Sequence, residues 1–151
     1  MKRILSIIII LLFITNYIYS QETVRVKGKG YEGYIFPKEY SLLGISPEEN
    51  RYTPSLVDIA MAEKILSNYL KSNKKVHIKF PIDKRTLKKY TRQYIGYLTH
   101  DNEIVIRINL FDRKKLEENQ SPALDIIPLL GYCCIQINIT TKDLSNWEEI
   151  R

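Results

Sequence analysis

The chain holds two cysteines and two histidines in 151 residues, and the cysteines, Cys133 and Cys134, are neighbours. That scarcity restricts the chemistry on offer. Adjacent strand residues point to opposite faces, so Cys133 and Cys134 cannot close a tetrahedral metal site alone, and only His77 and His100 remain to help. A hydrolase needs a nucleophile, a base and a group that orients the base. His77 falls in a strand-like run and His100 in a turn, and neither belongs to a recognisable signature. Glycine is sparse, at six residues, and the segment richest in it, GKGYEG, lacks both the Lys-Ser/Thr ending and the following helix of a phosphate loop. Internal repeats, low-complexity tracts and a domain linker are also missing. The expectation is a protein with no enzymatic activity, no cofactor and no metal.

What is present begins with a leader. Lys2 and Arg3 precede an apolar stretch over 4–14 broken only by Ser6, and small and polar residues lead to Ser20. This is the layout of a secretory signal peptide. The uninterrupted apolar part, 7–14, is far shorter than the ~20 residues of a membrane-spanning helix. The expected organisation is a signal peptide over 1–20 and one domain over 21–151, exported to the periplasm or secreted, and not an integral membrane protein after cleavage. Loss of Lys2 and Arg3 takes the net charge from +6 to +4.

That charge is unevenly spread. Over 71–92 lie Lys71, Lys74, Lys75, Lys79, Lys84, Arg85, Lys88, Lys89 and Arg92, opposed by Asp83 alone. Such a run either keeps an edge strand from aggregating or attracts polyanions. Its candidate patch is Lys74, Lys75, Lys79, Lys84, Arg85, Lys88 and Lys89. Lysine outnumbers arginine here, which favours general attraction over bidentate recognition. An anionic envelope component or an acidic protein fits an exported chain better than nucleic acid does.

TVRVKGKGYEGYIFP reads as two short strands around Gly28 and Gly30. The clearest helix is TPSLVDIAMAEKILSNYLKSN, capped by Thr53 with Pro54 in the first position. Leu56, Ile59, Ala62, Leu66, Tyr69 and Leu70 form its apolar stripe. KVHIKF is an edge strand ended by Pro81. Three stronger strands follow: KYTRQYIGYL, EIVIRINLF and YCCIQINIT.

Asp101-Asn102 is a plausible two-residue hairpin turn between the first two of these. That turn sets Gly96 against Arg107 and Tyr94 against Asn109, and an odd loop length would invert one strand. Ile95 and Tyr97 then share a face with Ile104, Ile106, Ile108 and Leu110, and Cys133, Ile135, Ile137 and Ile139 match them on the third strand. The helix covers this face. The opposite face collects Tyr90, Arg92, Tyr94, Arg107, Asn109, Tyr132, Gln136 and Asn138 together with Cys134. Tyrosine and arginine are enriched where proteins bind proteins, so this is the expected binding face. The fold class is α+β: one long amphipathic helix packed on an antiparallel sheet of about four strands.

An undistorted strand keeps the sulfurs of Cys133 and Cys134 apart. A disulfide between neighbours needs a twisted or cis peptide, the latter at about 3 kcal/mol. Three thiol states stay open: a buried thiol beside an open-face one, a strained adjacent bridge, or an intermolecular bridge through Cys134.

RYTPSLVDIAMAEKILSNYL followed by KKYTRQYIGYLTHDNEIVIRINLF resembles a group of small exported bacterial proteins of unknown function, over 51–139. In that pattern a Gly-rich turn and a cysteine open the last main strand, as Gly131, Tyr132 and Cys133 do here. Leu129 and Leu130 stand where an acidic residue is expected. The resemblance implies a cystatin-like or nuclear-transport-factor-like roll, a fold used for binding, inhibition and occasional catalysis. QYIGY does not match the Gln-x-Val-x-Gly loop of cystatin inhibitors. The expected function is a non-catalytic binding module of the bacterial envelope. An inhibitor or immunity-type protein that blocks a protease or toxin is the alternative, and a thiol-dependent enzyme using Cys134 comes third.

Overall fold

A computed structural model describes residues 22–40, 50–72, 84–112 and 133–146. The leader, KVHIKF and the segments over 41–49, 113–132 and 147–151 lie outside the described residues, and Tyr132, Lys74, Lys75, Lys79 and His77 fall there with them.

Strands β1 (Val24–Gly28) and β2 (Tyr31–Phe36) pair antiparallel across Lys29-Gly30. Gly30 sits at φ 91°, a backbone region that an L side chain resists. The Tyr31 ring occupies the space where a Cβ on Gly28 would lie, so the glycine lets that ring fold over β1. A two-residue strand, β3 (Arg51–Tyr52), leads into the helix α1 (Leu56–Lys71). Its cap is Ser55, two residues later than Thr53: the Ser55 hydroxyl accepts from the Asp58 amide, and the Asp58 carboxylate accepts from the Ser55 amide. The Tyr52 hydroxyl also donates to Asp58 at 2.8 Å. Thr53 instead accepts from the Lys38 amide at 2.9 Å. A 3-10 turn (Thr86–Lys89) then feeds β4 (Tyr90–Leu98), β5 (Ile104–Asp112), β6 (Cys133–Asn138) and β7 (Asp143–Asn146).

These strands form one sheet in the order β1-β2-β4-β5-β6-β7, with β3 also paired to β4. All pairs are antiparallel except β2–β4, which is parallel. A parallel pair needs a crossover, and the passage through α1 supplies it. The α+β helix-on-sheet architecture is as expected, but the sheet is mixed and has seven strands rather than four.

α1 packs across β5, β6 and β7. Ile59, Ala62 and Leu66 are fully buried against Tyr94, Ile106, Ile108, Leu110, Ile135 and Ile137, with Ile35, Val26 and Leu87 completing the core. Each such buried isoleucine or leucine contributes about 1.5–3 kcal/mol relative to exposure. Leu56 departs from the expected stripe and is 61% exposed. It occupies the first helical position, beyond the reach of the sheet.

The β4–β5 hairpin has an odd loop. Thr99 and Glu103 close it, with the Thr99 amide donating to the Glu103 carbonyl at 2.9 Å. That leaves His100, Asp101 and Asn102 as the loop, and Asn102 alone takes a positive φ, 59°. This is a turn followed by a left-handed residue, the common three-residue hairpin. The register becomes Gly96↔Ile106, Tyr94↔Ile108, Arg92↔Leu110 and Ile95↔Arg107. One strand is therefore inverted relative to the expected pairing. β5 and β6 keep the expected faces, since Ile106↔Ile137 and Ile108↔Ile135 lie under the helix. Tyr94 and Arg92 go with them, and Ile95 and Tyr97 turn to the other side.

That other side is not open. Phe36, Ile95, Phe111 and Gln93 are fully buried, and Thr91, Arg107 and Asn109 nearly so. Both faces of the central strands are therefore buried.

Candidate cationic cleft

The expected binding face does not exist as one surface. Tyr90, Arg92 and Tyr94 lie on the helix side, whereas Arg107, Asn109, Gln136, Asn138 and Cys134 lie on the opposite side. Arg92 and Arg107 are 1% and 3% exposed, so neither guanidinium is free to meet a partner. The cause is the three-residue hairpin loop, which moved β4 by one residue and exchanged its faces.

On the far side, Arg107 Nε donates to Asn109 Oδ1 at 3.2 Å and to Cys134 Sγ at 3.0 Å, and Asn109 donates to Gln93 Oε1 at 3.5 Å. Cys134 is a free thiol. Burial pushes its pKa up, against the pull of Arg107. A raised thiol pKa means little thiolate, the reactive species. Asn138 donates to Glu103 Oε2 at 2.7 Å, tying β6 to the hairpin end.

On the helix side, Arg92 enters an ionic cluster. Its Nε donates to Glu63 Oε1 at 2.9 Å, Nη1 to the Tyr90 carbonyl at 2.7 Å, and Nη2 to the Gly30 carbonyl at 3.4 Å. The Tyr94 hydroxyl donates to the same Glu63 oxygen at 2.9 Å. Burial raises the Glu63 pKa, while Arg92 and the Tyr94 hydrogen bond pull it down. Burial also raises Tyr94 and Tyr31, each pushed further by the Glu63 charge. The cluster joins α1, β4 and the β1–β2 turn at one point, and so fixes where that turn sits against the helix.

A cleft of about 520 Å³ opens beside this point. The β1–β2 turn contributes Lys29, Gly30 and Tyr31; α1 contributes Ala60, Lys64, Ser67, Asn68 and Lys71; the 3-10 region contributes Lys84, Leu87 and Lys88. Glu63 lies at its floor, countered by Arg92. Five lysines thus converge from three elements distant in sequence. All five are exposed. Among the described residues, no carboxylate lies within ion-pairing distance of any of them. A second hollow of about 230 Å³ adjoins across Gly30, Tyr31 and Lys88, and adds Lys27, Glu32 and Tyr90. Crowded ammonium groups raise the local positive potential, and an anion seated among them relieves the repulsion.

Of the basic run expected from the sequence, Lys71, Lys84 and Lys88 reach this cleft, while Arg85 and Lys89 are exposed but do not line it. Lys29 and Lys64 were not in that run, and only folding brings them to it. Glu63 had a legible signal: it stands among Ile59, Ala62, Leu66 and Leu70 on the buried face, where a lone carboxylate requires a partner. Comparison of the chain with protein-family models, with curated proteins and with solved structures gives no match.

Proposed function

We propose that this is an exported, non-catalytic binding module of the periplasm or the extracellular medium, and that its lysine-ringed cleft takes an anionic group of an envelope component. The carrying observation is the convergence of Lys29, Lys64, Lys71, Lys84 and Lys88 around one cleft whose single carboxylate is already held by Arg92. Lysine is a compact point charge on a flexible stem, suited to phosphate or carboxylate held without strict orientation. The leader-like start of the chain supports export. The half-buried, arginine-bound thiol of Cys134 supports a role without thiol catalysis. Among the described residues, no helix is long and apolar enough to cross a membrane.

The test is a titration with inorganic pyrophosphate, followed by amide shifts in solution NMR. Saturable shifts are expected at 29–31 and in the last two turns of α1, with weakening as salt is raised. The double substitution Lys64→Glu, Lys71→Glu is expected to remove them without loss of fold, both side chains being exposed. Shifts spread evenly over the surface, or unaffected by the double substitution, would reject the cleft.

A further inference from the structure

The exposed side of α1 has an order that the cleft alone does not explain. Leu56 is 61% exposed, Val57 70% and Met61 40%, three of the four large apolar side chains left in water among the described residues. At 3.6 residues per turn, Leu56, Val57, Ala60, Lys64, Ser67 and Lys71 fall within about 100° of arc, a stripe about 22 Å long, and Met61 flanks it about 40° beyond Val57. Its first two turns are apolar and its last two are cationic, and Ala60 lines the cleft where the halves meet. No acid interrupts it. Of the two acids in α1, Asp58 is engaged by Ser55 and Tyr52, and Glu63 is buried against Arg92.

We infer that this stripe and the cleft together form a docking surface for an anionic phospholipid bilayer, with phosphate headgroups among the lysines and Leu56, Val57 and Met61 in the acyl boundary. The inference rests on the anion-binding reading of the cleft and names its ligand. Residue chemistry favours lipid over an acidic protein. Protein interfaces are depleted in lysine and enriched in tyrosine, tryptophan and arginine, whereas interfacial helices combine lysine with exposed leucine and its like. All five cations lining the cleft are lysines. A helix packed on a sheet by one face and lying flat on the bilayer by the other needs no rearrangement of the core.

The experiment is co-sedimentation of the chain, as recovered after export, with vesicles of phosphatidylcholine alone or mixed with phosphatidylglycerol, beside the pyrophosphate titration. Two variants are used: Leu56→Ser, Val57→Ser, Met61→Ser in one chain, and Lys64→Glu, Lys71→Glu in another. Binding to the mixed vesicles and not to the neutral ones is expected. The serine variant should lose about tenfold in vesicle partitioning while keeping pyrophosphate binding, and the glutamate variant should lose both. Retained pyrophosphate binding without vesicle binding, serine substitutions with no effect on vesicles, or capture of an acidic protein by a chain that ignores vesicles each overturns the lipid assignment and leaves the cleft standing. Failure to bind either probe overturns both.

Discussion

Arg92 has no water to solvate it and depends on three partners: the Glu63 carboxylate and the carbonyls of Tyr90 and Gly30. A charge so placed is costly to bury and costlier to orphan. Truncating one partner, as in Arg92→Met, is expected to lower the unfolding free energy by about 3–5 kcal/mol, because the Glu63 carboxyl is left buried without its counter-charge. The pair Arg92→Met with Glu63→Leu is expected to recover much of that loss, leaving the Tyr94 hydroxyl without its acceptor and the carbonyls of Tyr90 and Gly30 without the guanidinium donor. Urea denaturation of the three chains measures it, and a double variant as unstable as the single one would show that the charges are not coupled. At this scale the sequence was half informative. Glu63 stands out in an apolar stripe, but nothing in TRQY says which of its four side chains faces the helix.

The hairpin decides that question at the scale of elements. Tyrosine and isoleucine alternate too loosely in YTRQYIGYL for composition to choose a face, since tyrosine suits a buried or a half-wet position equally. The faces follow from the loop, and the loop follows from one backbone angle, φ 59° at Asn102. Asparagine tolerates the left-handed region, and a β-branched residue does not. Asn102→Val is expected to cost about 1–2 kcal/mol, and Asn102→Gly to hold or raise stability. Thermal unfolding of both variants checks the assignment; equal melting temperatures would contradict the three-residue loop. β5 and β6 were legible because isoleucine repeats at every second position. β3 has two residues and β7 offers a single apolar side chain, Leu144, so neither carries a period to read. The parallel join of β2 to β4 was also out of reach, since pairing across a helix crossover leaves no local signal.

For the whole molecule, the consequence is a reversal of which surface is available. A sheet with one open face was expected, yet both faces of its central strands are buried, and the exposed chemistry lies on the outer side of α1 and in the lysines that border it. The overall class was readable from one amphipathic helix and several alternating strands. The cleft was not, because Lys29, Lys64 and Lys88 become neighbours only once the β1–β2 turn, α1 and the 3-10 turn meet around the Glu63–Arg92 pair. The most direct measurement is the acylation rate of each lysine amine, read by mass spectrometry with and without pyrophosphate. Lys29, Lys64, Lys71, Lys84 and Lys88 should be protected together while Lys38 and Lys142, exposed and outside the cleft, react unchanged. Protection spread evenly over all of these lysines, or absent from the five, would contradict the account.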